Sequence, residues 1–385
     1  MDFPLNRFSQ IETPFYYYDI SLLRSTLHNI KSNIALYPRF HVHYAVKANA
    51  NPRILSLIAS EGLGADCVSG GEVVTAYEHG FRPQQIVFAG VGKSDKEILD
   101  ALRVGIFCFN VESLEELDVI NELAASVNTV AQVAFRINPN VDAHTHAKIT
   151  TGLNENKFGI AWEDVIPAIR HCSQLNNVEY KGLHFHIGSQ ILRLDVFRDL
   201  CDRINDLQDI LDAEGIITRI INVGGGLGIN YMHPDLYPIP DFASYFAIFA
   251  QNLNLRPNQE VHFELGRSIV GQCGNLVART LFVKEGHTKK FIIVDAGFTD
   301  LIRPALYGAY HLIENLSNHL LVDLEKYDVV GPICESSDVF AKDVYLPKSK
   351  RGDLMIFRSA GAYGEVMASS YNCRQLPKSY FSDSE

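Results

Sequence analysis

What the chain lacks narrows its reading first. No apolar run approaches the roughly 18 residues that cross a bilayer. The opening MDFPLNRFSQIETP lacks the basic-then-apolar build of a signal peptide. A cytoplasmic protein with no membrane partner is expected. Positive charge is scarce, with 34 Lys and Arg against 45 Asp and Glu and a formal net charge of −11. Nucleic-acid binding needs basic patches, so no nucleic-acid partner is expected. The seven cysteines contain no CxxC pair. An odd, dispersed set of thiols implies a reducing compartment and no disulfide framework. Low-complexity segments and exact internal repeats are also missing.

What is present is a chain of 385 residues, 47% hydrophobic and 21% charged. That is enough apolar mass for a barrel and a second domain. Eight short β-rich runs come in series: His41–Lys47, Leu63–Asp66, Ile86–Ala89, Ile106–Asn110, Ala131–Ile137, Gly182–His186, Ile220–Val223 and Val261–Leu265. Amphipathic stretches lie between them. Ser113-Leu-Glu-Glu116 has a capping-box pattern, and Val196–Leu211 places Phe197, Leu200, Ile204, Leu207 and Leu211 at helical spacing. Eight β-then-α units predict an α/β chain with a (β/α)8 barrel, although a doubly wound sheet gives a similar alternation.

After about residue 268 the pattern changes. Leu276–Val283, Phe291–Val294, Lys326–Val330, Ala341–Leu346 and Leu354–Arg358 resemble strands, with helical periodicity only over Arg303–Leu316. The expected organisation is an N-terminal segment, 1–28, whose strand Phe15–Tyr18 joins a β-rich C-terminal domain, 268–385. The barrel spans 29–267.

Barrel chemistry sits at the C-terminal ends of the strands. Lys47, Asp66, Asn138, His186, the run Gly224–Gly226 and Glu264 all fall there. A lysine at a barrel mouth can form a Schiff base when its pKa is lowered by its surroundings. Taken alone, a lysine such as Lys47 is more often simply exposed at a strand exit. The glycines of Asn222-Val-Gly-Gly-Gly-Leu-Gly-Ile229 free backbone N–H groups for a phosphate, or simply form a tight turn. Glu264 could hold a proton on a pyridine nitrogen or pair with Arg267. His186 could stack on a flat cofactor or be a core histidine satisfied by a carbonyl. The pairs His41/His43, His144/His146 and His184/His186 raise a metallohydrolase alternative. The first pair precedes Lys47 by four to six residues. At about 3.3 Å per residue it falls well below the reactive face, where no metal is expected.

Taken together, the motifs resemble the diaminopimelate decarboxylase family, in the alanine-racemase-like fold group of pyridoxal phosphate (PLP) enzymes. The matching pieces are Tyr44-Ala-Val-Lys-Ala-Asn49, GADCVSGGE (64–72), HFHIGSQ (184–190), GGGLGINY (224–231), ELGR (264–267), DAGFTDLIRPALYGAYH (295–311), CESSD (334–338) and GAYG (361–364). The resemblance implies that Lys47 holds PLP, that His186 stacks on its ring and that Glu264 pairs with its nitrogen. Ser189, Gly225, Gly226, Gly266, Arg267 and Tyr363 would bind the phosphate or its surroundings. Arg267, Arg303, Tyr307, Glu335 and Tyr363 would hold the substrate, an amino acid at both ends. Cys334 would be the proton donor, supplied by the second chain of a homodimer. Leu265, Ser359 and Phe185 depart from the family pattern, which commonly has proline, aspartate and cysteine there. Related decarboxylases act on ornithine, arginine or carboxynorspermidine; the pair Cys334-Glu335 and DLIRPALY favour diaminopimelate. A racemase and a catalytically inactive regulatory homologue fit these motifs less well.

Overall fold

A computed structural model describes residues 3–141, 157–318 and 323–384. The pair His144/His146 lies outside the described residues. The chain forms two compact units, one of Leu27–Gly228 with Asp241–Gly266 and one of Met1–Thr26, Ile229–Pro240 and Arg267–Glu385. Ile229–Pro240, which the sequence reading assigns to the barrel, groups with the β-rich unit.

In the first unit eight parallel strands close into a barrel. They are Phe40–Ala45, Gly64–Cys67, Ile86–Phe88, Cys108–Val111, Ala131–Arg136, Val178–His184, Ile220–Asn222 and Glu260–Leu265. The first and eighth strands pair from Phe40↔Val261 to Tyr44↔Leu265 and seal the barrel. A doubly wound sheet is thereby excluded. Short apolar strands suit a sheet buried on both faces. Helices follow the strands, started by side chains that accept orphan N–H groups: Asn51 from Arg53, Ser69 from Glu72 and Asp241 from Ser244. The helix Asp195–Ala213 buries Val196, Phe197, Leu200, Ile204, Leu207 and Leu211. Each such side chain is worth about 1.5–3 kcal/mol of burial. At Ser113 only half of the expected capping box forms. Its hydroxyl accepts from Glu116 N–H, but the Glu116 carboxylate turns to Glu112 N–H and Lys93. The complete box is Ser94 with Glu97.

One expectation shifts where it matters. The first strand stops at Ala45, and Val46–Ala48 forms a single 3-10 turn. Lys47 therefore sits on a turn at the strand's C-terminal end. The turn is tied back by Asn49 N–H donating to Val46 O and by Tyr44 Oη donating to Asn49 O at 2.8 Å.

The second unit is an eight-stranded sheet. Its path runs Ile313–Asn315, Leu354–Phe357, Gly274–Glu285, Lys290–Val294, Leu324–Val330 and Val339–Pro347. Phe15–Tyr18 pairs antiparallel with Gly274–Glu285 and parallel with Lys378–Phe381. The helix expected over Arg303–Leu316 is limited to Arg303–Tyr307. Gly308, at φ +61°, ends it in the left-handed region, where only glycine is free of Cβ strain. Ile313–Asn315 then pairs with Leu354–Phe357.

Candidate active site

In the barrel, Glu264 lies one residue before the end of the eighth strand and is buried. Its Oε1 accepts from Asn110 Nδ2 at 3.1 Å and from Asn222 Nδ2 at 2.7 Å, and its Oε2 lies 3.0 Å from His184 Nε2. A carboxylate has about four lone-pair positions. Among the described residues three are taken, and one on Oε2 remains for an incoming N–H. Burial alone raises the pKa of Glu264, but His184 and Lys47 outweigh it and hold the group well below the usual carboxylate range.

Lys47 Nζ lies 3.5 Å from Asp66 Oδ2. The lysine side chain is 35% exposed and the aspartate 1%, so the amine reaches toward solvent from a buried acid. Burial and the charge of Glu264 push Asp66 up, and Lys47 pulls it down by less. The two acids thus differ in kind. Glu264 holds a charge fixed by donors, whereas Asp66 keeps its proton more readily and leaves Oδ1 without a hydrogen bond.

His186 follows the sixth strand. Its Nδ1 accepts from Gly225 N–H at 3.3 Å. Burial first, then Lys47 and Arg136, hold its pKa well below the ordinary value, so the ring is neutral. The glycine run passes close beneath other backbone. A Cβ on Gly225 would lie 1.9 Å from Glu264 O, and one on Gly224 would lie 2.2 Å from Phe185 O. Gly224 and Gly226 have φ of +70° and +109°. The loop carrying Ser189 is pinned to this run by Ile191 N–H to Gly226 O and Gly228 N–H to Ile191 O, both 2.9 Å. Gly266 packs against Ala48 and Ala45, where a Cβ would lie 2.9 and 3.1 Å from theirs. Arg136 pairs with Glu112 at 2.8 Å.

The β-rich unit gathers the two arginines. Arg267 donates to Tyr231 Oη at 2.6 Å and lies over the Tyr363 ring at 4.9 Å. Arg303 lies over the Tyr231 ring at 4.8 Å and donates from Nη1 to His311 Nε2 at 2.7 Å. His311 Nδ1 is 2.8 Å from Arg358 O, which only accepts; Nδ1 therefore carries the proton and Nε2 the lone pair. Both arginines are buried. Among the described residues Arg303 has no carboxylate partner, and its Nε makes no hydrogen bond.

Cys334 and Glu335 are exposed. Their loop is held from beneath by buried Asp338, whose oxygens accept from Phe298 N–H at 2.7 Å and Ile333 N–H at 2.8 Å. Glu335 Oε1 accepts from Tyr371 Oη at 2.8 Å. Of the departures from the family pattern, Phe185 and Leu265 are fully buried apolar residues in the barrel unit. Ser359 sits at φ +56° in the β-rich unit.

Sequence reasoning passed over His184 as a carboxylate partner, and Asn110, Asn222 and the Arg136–Glu112 pair altogether. Asn222 and His184 are the last residues of their strands. Polar side chains at strand ends in a barrel were the available signal.

These residues fit PLP. A lysine, a carboxylate with a spare lone pair and a glycine cradle that side chains would fill are the donors such a cofactor needs. Residues 21–271 match the family of pyridoxal-dependent decarboxylases through its pyridoxal binding domain. By class, fold and site are those of a PLP-dependent decarboxylase. The chain is 61% identical over 381 residues to the diaminopimelate decarboxylase of Bacteroides thetaiotaomicron, covering 99% of this chain and 98% of that one. It is 44% identical over 363 residues to that of Neisseria meningitidis, covering 94% and 87%. The crystal structure of diaminopimelate decarboxylase from Helicobacter pylori complexed with L-lysine superposes with a TM-score of 0.90 at 39% identity, covering 98% and 93%. The chain belongs to the diaminopimelate decarboxylase family.

Proposed function

We propose that the chain decarboxylates meso-2,6-diaminopimelate to L-lysine and carbon dioxide, the last step of lysine biosynthesis. The carrying observation is Glu264, a buried carboxylate held by three hydrogen bonds with one lone pair spare, in the same barrel as Lys47. When bound, PLP supplies an electron sink for the electron pair that departing carbon dioxide leaves behind. Lys47 would hold the cofactor through its amine. Glu264 Oε2 would accept from the protonated ring nitrogen, and the neutral His186 ring would stack on the cofactor. N–H groups around Gly225, Gly226 and Gly266, with Ser189, Arg267 and Tyr363, would hold the phosphate end, as helix and loop donors do elsewhere. Arg267 and Arg303 grip the distal carboxylate, with Tyr307 and Tyr363 beside it, because a planar guanidinium pairs with a carboxylate in a defined geometry. Glu335 matches the distal ammonium.

Cys334 Sγ donates the final proton to the carbon that lost its carboxylate. Its exposure supports a role completed by a second chain, so the working form is a homodimer in which Cys334 of the partner subunit serves each site. A reducing cytoplasm, in which all seven cysteines stay free as they are here, suits this role. The test is carbon dioxide release from meso-diaminopimelate, ornithine and carboxynorspermidine side by side with added PLP. Turnover of diaminopimelate at least tenfold above the others is expected. Faster release from ornithine or carboxynorspermidine sinks the assignment.

A further inference from the structure

The histidines at the start of the first barrel strand take no part in the proposed reaction. They sit at the opposite end from Lys47, at the seam where the barrel closes. There His41 lies opposite His262 of the eighth strand. His43 Nδ1 is 3.0 Å from Gln85 O, which can only accept, so this nitrogen carries the proton. His43 Nε2 is then the acceptor for His262 Nδ1, 2.8 Å away. In the neutral His262 ring this places the lone pair on Nε2.

The bare His262 Nε2 is buried, makes no hydrogen bond among the described residues and lies 3.5 Å from Glu260 Oε2. His41 Nε2, likewise without a hydrogen bond, lies 3.8 Å from the same oxygen. The three ligand atoms fall within 4.8 Å of one another. The His262 ring is held between His43, at 5.1 Å and 17°, and Phe107, at 5.5 Å and 10°.

We propose that His41, Glu260 and His262 bind a divalent transition-metal ion of the zinc class and clamp the first strand to the eighth. Two imidazoles and one carboxylate with a remaining position for water form a known zinc donor set, and bonds of about 2.0–2.2 Å put ligand atoms about 3.4 Å apart. Glu260 Oε2 already stands near that spacing from both nitrogens. His41, 43% exposed, and Glu260, 48% exposed, supply the remaining adjustment and the path from solvent. Calcium and magnesium prefer all-oxygen shells and are disfavoured. His43 acts as the outer partner that fixes the tautomer of a ligating histidine, a recurring device in metal sites. The simpler alternative is an ion pair between Glu260 and a protonated histidine.

The experiment is equilibrium dialysis of the full-length, PLP-loaded protein against Zn2+ at neutral pH, with bound metal counted per chain. One equivalent is expected, together with a higher melting temperature in Zn2+. His41→Ala, at an exposed position that leaves the barrel core untouched, lowers affinity at least tenfold, abolishes the thermal shift and keeps wild-type turnover. Glu260→Gln lowers affinity similarly, and Cys334→Ser leaves it unchanged. No bound equivalent, equal affinity in His41→Ala, or binding lost only in Cys334→Ser each overturns the proposal.

Discussion

The barrel and the β-rich unit each bury charge, and they handle it in opposite ways. In the barrel, Glu264 is met by a dedicated donor at almost every lone pair: Asn110, Asn222 and His184. In the β-rich unit, Arg303 is buried against a tyrosine face and the lone pair of His311, with one N–H unsatisfied and burial pushing its pKa down. A buried ion without a counterion is costly. Its retention makes sense when the counterion arrives from outside. The first arrangement is a finished internal network that holds a fixed negative charge. The second is a buried cation without a carboxylate partner among the described residues, which fits the proposed role of Arg303 toward an anionic group of the substrate.

The largest expected effect probes how the β-rich unit keeps its cations uncompensated. His311 is held at about 3, first by burial and then by Arg303. An unfolded histidine titrates near 6.5. Between these values the unfolded chain binds the extra proton, so stability from neutral His311 is complete above pH 6.5 and is lost as pH falls toward 3. The loss is about 5 kcal/mol. His311→Gln keeps one acceptor and one donor but cannot titrate. Urea midpoints measured across this range should fall steeply for the wild type and less for the variant; parallel curves refute the role of His311.

Next in size is Glu264→Gln, which puts an amide where the barrel network supplies only donors. A fall in kcat of about 10²–10³-fold is expected, the usual scale for losing one preorganised electrostatic group. Turnover within threefold of wild type shows that the network is merely structural. The smallest effect is that of Arg303→Ala. Losing a charge-assisted hydrogen bond is worth about 1.5–3 kcal/mol, so KM for diaminopimelate rises roughly 10- to 100-fold with kcat little changed. If kcat falls instead while KM holds, Arg303 belongs with the reacting end and the contrast between the two regions fails.

Much of this was legible in the chain itself. Eight apolar runs at regular spacing predict the barrel because parallel strands covered on both faces must be apolar. Lys47, His186 and Glu264 stood out because polar side chains at strand ends are rare and exposed to chemistry. The helix read over Arg303–Leu316 failed because Gly308 permits a backbone reversal that periodicity does not register. The Ser113 pattern failed in part because Lys93, distant in sequence, competes for the Glu116 carboxylate.

Local patterning therefore settled the barrel strands and pointed to candidate reactive groups, since both depend on neighbours a few residues apart. Which lone pairs remain open was beyond it. The spare position on Glu264 is defined by Asn110, His184 and Asn222, from three different strands, and the bare nitrogen of His262 by His43 and Gln85. Hydrogen-bond direction at a carboxylate or an imidazole is set by atoms within about 3 Å. In a closed barrel those atoms come from strands far apart in sequence.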